Sequence, residues 1–339
     1  MHSRRLSPSA RLFASGLLFL ATLAAGMAIA APAARWSIVE LGALGAGGSI
    51  GLTLNNRGHV GGYSAVEAFD GQVHDHAFVW REGAMTDLGR QLGSMGGNAH
   101  SRVTAMNDHG TLVIEGPDGL MTWRSGTWRG LGFRGTASDI DKFERIVGSH
   151  ATPGGVHAFI WRDGFATDLG TLGGSASAAH AINDRGVVVG ASLLADEATT
   201  RGFIHEGGAM TAIGTLGGAS SVAYDINGRG AVVGSAQDAS GAWHAFLLDG
   251  SGMRQLVNVP GGSHARAIND RGVVAGDTAS GAFAWEDGVI TWLEDIPEVR
   301  AAGWTRLFVL DINDRGEIAG WGWKAGGPAE GLAFLLSPR

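Results

Sequence analysis

Ile182-Asn183-Asp184-Arg185-Gly186 runs directly into Val187-Val188-Val189-Gly190, and this phrase is the most repeated object in the chain. It returns as Ile226-Asn227-Gly228-Arg229-Gly230, Ile268-Asn269-Asp270-Arg271-Gly272 and Ile312-Asn313-Asp314-Arg315-Gly316. Earlier copies read Leu54-Asn55-Asn56-Arg57-Gly58 and Met106-Asn107-Asp108-His109-Gly110. A worn copy, Ile140-Asp141-Lys142-Phe143-Glu144, still continues as Arg145-Ile146-Val147-Gly148. The key Asn or Asp therefore falls at 55, 107, 141, 183, 227, 269 and 313, at intervals of 52, 34, 42, 44, 42 and 44. One long and one short loop explain the first two intervals. A period of 40 to 50 residues signals a repeat architecture.

Each unit reads as four strands. In the fourth unit, the first strand is expected over 178–182, the Asn-Asp-Arg-Gly turn follows, and the second strand covers 187–192. The third covers 201–205. In the preceding unit, an Asp163-Gly164 hairpin turn leads to a fourth strand over 166–169, and the Gly-rich stretch Gly170–Gly174 links to the next unit. The ends are complementary. Trp36-Ser37-Ile38-Val39-Glu40-Leu41-Gly42 resembles a fourth strand entering its link, and Leu332-Ala333-Phe334-Leu335-Leu336 resembles a third strand with no fourth after it. The pattern predicts an all-β, seven-bladed β-propeller with four-stranded blades. Its ring is closed by the N-terminal strand pairing with the C-terminal blade, which removes exposed edges. An open solenoid would need polar caps.

The 57 Gly and 8 Pro of this 339-residue chain fit many tight turns, and 45% hydrophobic residues suffice for a core. Residues 1–30 read as a Sec-type signal peptide. Arg4, Arg5 and Arg11 precede an apolar stretch, and Ala28-Ile29-Ala30 supplies small residues for cleavage. Ser7 and Pro8 disfavour a twin-arginine signal. Residues 31–35 form a short linker, and 36–339 form a single propeller domain. Removing the leader moves the net charge from −7 to about −10. That argues against nucleic acid as a partner, and after cleavage nothing is left to hold a membrane. With no Cys there are no disulfides and no thiolate metal site. The expected product is a monomer, secreted or periplasmic.

His157-Ala158-Phe159, His244-Ala245-Phe246 and His76-Ala77-Phe78 resemble the signature of the bacterial extracellular HAF-repeat family. Asp168-Leu169-Gly170-Thr171-Leu172-Gly173-Gly174 and the Ile-Asn-Asp-Arg-Gly turns fit the same repeat. The resemblance covers essentially all of 36–339. It implies export and a propeller-like repeat, and it implies no established reaction. Unit two departs from it, with Gly119-Leu120-Met121 in place of His-Ala-Phe. The C-terminal Ser337-Pro338-Arg339 is not the sorting segment that some members carry.

No cofactor or metal is expected. The turn Asn and Asp residues offer too few oxygens for calcium and stabilise the turns themselves. The His-Ala-Phe histidines sit in different blades and read as structural. Trp80, Trp123, Trp161 and Trp285 recur at one phase and read as packing between blades. Trp321 and Trp323 lie off that phase and are better ligand candidates. The Gly-rich stretch Gly42–Gly48 lacks the Lys-Ser/Thr ending of a phosphate loop.

The first strand of each unit should lie nearest the axis. Three residues before the key positions stand Leu52, Thr104, Ser138, His180, Tyr224, Arg266 and Leu310. Two before stand Thr53, Ala105, Asp139, Ala181, Asp225, Ala267 and Asp311. Variation inside a regular scaffold is where a site can be grafted. His180, Tyr224, Asp225, Arg266, Asp139 and Asp311 are therefore the candidate ligand-binding residues, at an axial mouth on the face bearing the loops between second and third strands. The alternative is hydrogen bonding between blades. The sequence reads most directly as a non-catalytic binding or interaction module for a glycan or a protein partner. An extracytoplasmic polysaccharide hydrolase or lyase with an axial site, and a structural surface protein, are the alternatives. No catalytic residues can be named.

Overall fold

In the computed structural model, which describes residues 36–45, 47–67, 71–92 and 99–339, each repeated turn joins the first two strands of a sheet. The Asn side chain makes the turn. Asn183 Oδ1 accepts the N–H groups of Arg185 and Val187 at 3.1 and 3.2 Å, and the Gly186 N–H donates to the Asn183 carbonyl at 2.8 Å. Gly186 sits at φ +85, a left-handed conformation that costs glycine nothing. In the worn third copy Glu144 is forced to φ +61 at the same place.

The described strands form five four-stranded sheets and one of eight strands. The eight-stranded sheet is two four-strand groups joined at one parallel bridge, Val156 to Ala176. Most sheets are antiparallel meanders in chain order. The exception is built from both ends of the described chain. Trp36–Gly42 pairs antiparallel with Leu332–Pro338, from Trp36 opposite Pro338 to Gly42 opposite Ala333. Among the described residues helix is limited to Pro297–Ala301 and two 3-10 turns. The expected leader and linker, 1–35, lie outside the described residues.

The first strands run longer than their sequence suggests. The fourth unit's strand spans Gly173–Ile182, because Gly173 already pairs with Leu194 and the small Gly-Ser-Ala residues extend along the second strand. Each first strand also carries a register shift before its turn, as between Ala179 and Ala181 or Ala223 and Asp225. The extra residue of that bulge is His180, Tyr224 or its counterpart. The bulge turns the preceding carbonyl into the second strand. At Gly190 a Cβ would collide with the Ala178 carbonyl, which explains the glycine that ends the Val-Val-Val-Gly phrase.

The core lies between sheets. Phe78, Phe159, Phe203, Phe246, Phe283 and Phe334, each on a third strand, are fully buried. Several sets of polar bonds link successive sheets. In the first, Asn Nδ2 groups donate to the next turn's carbonyl, from Asn55 to Asn107, Asn107 to Asp141, Asn183 to Asn227, Asn227 to Asn269, Asn269 to Asn313, and Asn313 back to Asn55. Asp141 has no such donor, and the Arg145 guanidinium, paired to Asp141, reaches the Asp184 carbonyl instead. In the second, a buried Ser at the start of a first strand accepts the N–H of the previous sheet's third strand. Ser177 holds Ala158 at 2.8 Å, Ser263 holds Ala245 at 2.9 Å, and Ser49 holds Ala333 at 2.9 Å.

Candidate functional site

The bulge gives two successive residues of six of the seven first strands access to one space. Leu52, Thr53, Thr104, Ser138, Asp139, His180, Ala181, Tyr224, Asp225, Arg266, Ala267, Leu310 and Asp311 line a single cavity of about 120 Å³. All six candidate residues are among them, drawn together from positions up to 172 residues apart in sequence.

Three of the six are carboxylates with one job. Asp225 accepts the Ile226 N–H and, across the sheet boundary, the Ile268 N–H, both at 2.7 Å. Asp139 does the same for Ile140 at 2.7 Å and Ile182 at 2.8 Å. Asp311 takes Ile312 and Leu54, both at 2.7 Å. Each staples its sheet to the next. Burial pushes Asp139 up to about 7 and Asp225 up to about 6, against the amide hydrogen bonds that favour the charged form. Asp311 is raised well above the usual carboxylate range by burial and by the charge of Asp225.

The other three form a half-buried aromatic and cationic stack. The His180 and Tyr224 rings stack with centroids 5.9 Å apart, and the Arg266 guanidinium lies 5.3 Å from the Tyr224 centroid. His180 Nδ1 donates to the Ala223 carbonyl at 2.7 Å, which leaves Nε2 as the unprotonated nitrogen of the neutral ring. Burial pushes His180 below the usual imidazole range, so that neutral form dominates at neutral pH. Arg266 grips Asp277 through Nε at 2.6 Å, and this pairing outweighs the burial that opposes its charge. The Ser235 hydroxyl donates to the Tyr224 oxygen at 3.2 Å. The candidates thus come together, with their strongest hydrogen bonds committed to neighbouring strands.

A wider opening, about 390 Å³, lies on the turn face. Here the residues after several key positions supply further bonds between turns. The Asn56 N–H donates to Asp108, Gly228 to Asp270, Asp270 to Asp314, and Asp314 to Asn56, all at 2.6 to 2.8 Å. A larger cleft, about 490 Å³, lies between the first two sheets, lined by Tyr63, Asp75, His100, Ser101, Arg102, Glu115, Gly116 and Pro117. Its walls come from two repeats, so counting at fixed phase from the Asn turns does not find it.

The His-Ala-Phe histidines each face an aspartate. His76 Nδ1 lies 3.1 Å from Asp87, and His157 Nδ1 lies 2.8 Å from Asp168 of the Asp-Leu-Gly segment. In the sheet of His244, Gln255 replaces the Asp opposite the Phe, and His244 turns Nε2 to Asp238 at 3.0 Å. Among the described residues no group of His, Cys, Asp or Glu is arranged to hold a metal. Trp80, Trp123, Trp161 and Trp285 are buried, three of them beneath Arg81, Arg129 or Arg254. Trp321 and Trp323 do share a face, clustered with Phe308.

No family model and no curated protein matches the chain. Solved structures do. The β-propeller domain of the Trilobed protease from Pyrococcus furiosus, described as having an open velcro topology, superposes with a TM-score of 0.60 at 11% identity. The match covers 86% of this chain and 93% of that one. The extracellular domain assigned to a hybrid two-component system of B. thetaiotaomicron gives 0.54 at 10% identity, over 89% of this chain and 39% of that one. This chain therefore spans well under half of that second structure. At such identities the shared property is the fold. The chain is an all-β protein of the propeller type. Among the described residues no helix is long and apolar enough to cross a membrane.

Proposed function

We propose that this chain is an exported, seven-bladed propeller that acts as a non-catalytic binding module for a glycan or protein partner. The ring is read as closed. The pairing of Trp36–Gly42 with Leu332–Pro338 and the bonds from Asn313 to Asn55 and from Ala333 to Ser49 support that count and that closure. The HAF-repeat resemblance and the leader over 1–30 support export.

One observation carries the non-catalytic reading. Every ionisable candidate in the axial cavity already spends its main hydrogen bonds on holding strands together, and a cavity of about 120 Å³ admits a few waters rather than a sugar. A general acid or nucleophile needs a free reacting atom within reach of substrate. The protein is expected to bind oligosaccharides on a glycan array and to turn over none in a hydrolase and lyase screen. Reproducible turnover lost in His180→Ala or Asp225→Asn would instead establish the axial enzyme.

A further inference from the structure

We propose that the cleft between the first two sheets is a recognition site for a neutral sugar residue, an assignment that rests on the binding-module reading above. Its volume of about 490 Å³ exceeds both axial cavities and falls in the range of small-ligand pockets. It lies at the strand ends remote from the Asn turns. Its walls are fixed by backbone bonds. The Ser101 N–H donates to the Asp75 carbonyl at 2.7 Å, and Ser101 Oγ accepts the Ala77 N–H at 3.0 Å. A site held this way loses little freedom on binding.

The polar groups are set before a ligand arrives. His100 Nδ1 accepts the Asp75 N–H at 3.0 Å, so in the neutral ring Nε2 carries the proton and can donate. Arg102 grips Glu115 through Nε at 2.8 Å and Nη2 at 2.6 Å, which fixes the guanidinium plane and leaves its other N–H groups to donate. The second Glu115 oxygen accepts the Ala137 N–H at 3.0 Å, anchoring the pair to the next sheet. Burial and the charge of Asp75 push the Tyr63 phenol up, so it remains a neutral hydroxyl donor. Asp75, a half-exposed carboxylate, offers acceptors.

This set selects a ligand class. Tyr63, His100 and Arg102 donate, and Asp75 accepts. A sugar diol can meet both, since each hydroxyl donates and accepts at once. The charges are two carboxylates against one guanidinium, and Arg102 is already paired. Uronate, sulfate or phosphate groups would therefore meet net repulsion. Glu115, with both oxygens committed, positions Arg102 and touches no ligand itself.

The test uses the 36–339 chain, an array of neutral and uronate-bearing oligosaccharides, and titration with the best neutral binder. Binding should be confined to neutral glycans and should shift the His100 and Tyr63 side-chain NMR resonances. Asp75→Asn and Tyr63→Phe should each weaken it by about tenfold. Across the sheet boundary the Asp75 carboxylate lies 3.5 Å from the exposed His100 ring, a weak surface contact, so thermal melting should change little in either variant. Neutral-glycan binding that survives both variants would overturn the cleft assignment and leave the module reading standing. A preference for uronate-bearing glycans would overturn the ligand class. Absence of all glycan binding would defeat the cleft proposal and leave a protein ligand for the module.

Discussion

The two ends of the channel lined by the first strands follow opposite rules. On the turn face, one solution is repeated. Asn at the key position closes its own turn and reaches the next, and the following residue accepts the previous turn's N–H wherever it has a side chain that can. On the loop face, counterpart positions hold unrelated pairs, such as Arg102 opposite Glu115, Ala178 opposite Ala191, His264 opposite Asp277 and Phe308 opposite Trp321. Repetition marks where the backbone needs a particular side chain. Variation marks where the backbone is already satisfied and the side chains are available for recognition.

Substitution should therefore be costly at the turn end and mild at the loop end. The largest effect is expected from Asn227→Ala. It removes the acceptor of the Arg229 and Ala231 N–H groups, both in partly buried bonds, and the buried donor to the Asn269 carbonyl, a loss of about 3 kcal/mol in urea unfolding. A loss below about 1 kcal/mol would break the contrast.

The middle of the channel should give an intermediate, pH-dependent effect. Asp139, Asp225 and Asp311 all titrate above the usual carboxylate value of 3.8 in the folded state. The native protein holds these protons more tightly than the unfolded chain. Their contribution is full below about pH 4 and is lost as pH rises through about 6 and 7. Asp168 and Asp249, held below the usual range, act oppositely at lower pH. Asp225→Ala should cost about 2 kcal/mol at pH 5 through its two orphaned N–H groups, and visibly less at pH 8. Equal losses at both pH values would remove the channel carboxylates from the pH response.

The worn turn sharpens the comparison from the other side. Glu144 occupies a left-handed backbone that every other copy gives to glycine. Glu144→Gly should raise stability by about 1 kcal/mol, less whatever its bond from Thr111 contributes. A destabilised variant would show that the Thr111 bond outweighs the strain. The smallest effect is expected at His157, whose partner Asp168 is exposed. His157→Ala should change the unfolding free energy by about 0.5 kcal/mol. A loss as large as that of Asn227→Ala would make the His-Ala-Phe histidines framework residues instead.

Much of the channel was legible because it lies at fixed phase from the Asn turns. Counting back two and three residues from 183, 227 and 269 finds His180, Tyr224, Asp225 and Arg266, and all four line the cavity. Their commitments were not legible. The Ile268 amide that holds Asp225 and the Asp277 that holds Arg266 are set by the bulge and by the neighbouring sheet. Strand alternation alone would have placed His180 and Ala181 on opposite faces. The Ser staples were missed for a similar reason. Ser177 and Ser263 look like link residues until the preceding sheet's third strand is set against them.

The sequence by itself determined the four-stranded unit, its period and the complementary ends. Those features rest on local turn chemistry and on alternation, and both are written in neighbouring residues. The tertiary structure alone decided which polar groups remain free. A hydrogen bond between sheets joins residues from different repeats, and only the approach of two backbones determines whether the donor meets its acceptor or faces an open cleft.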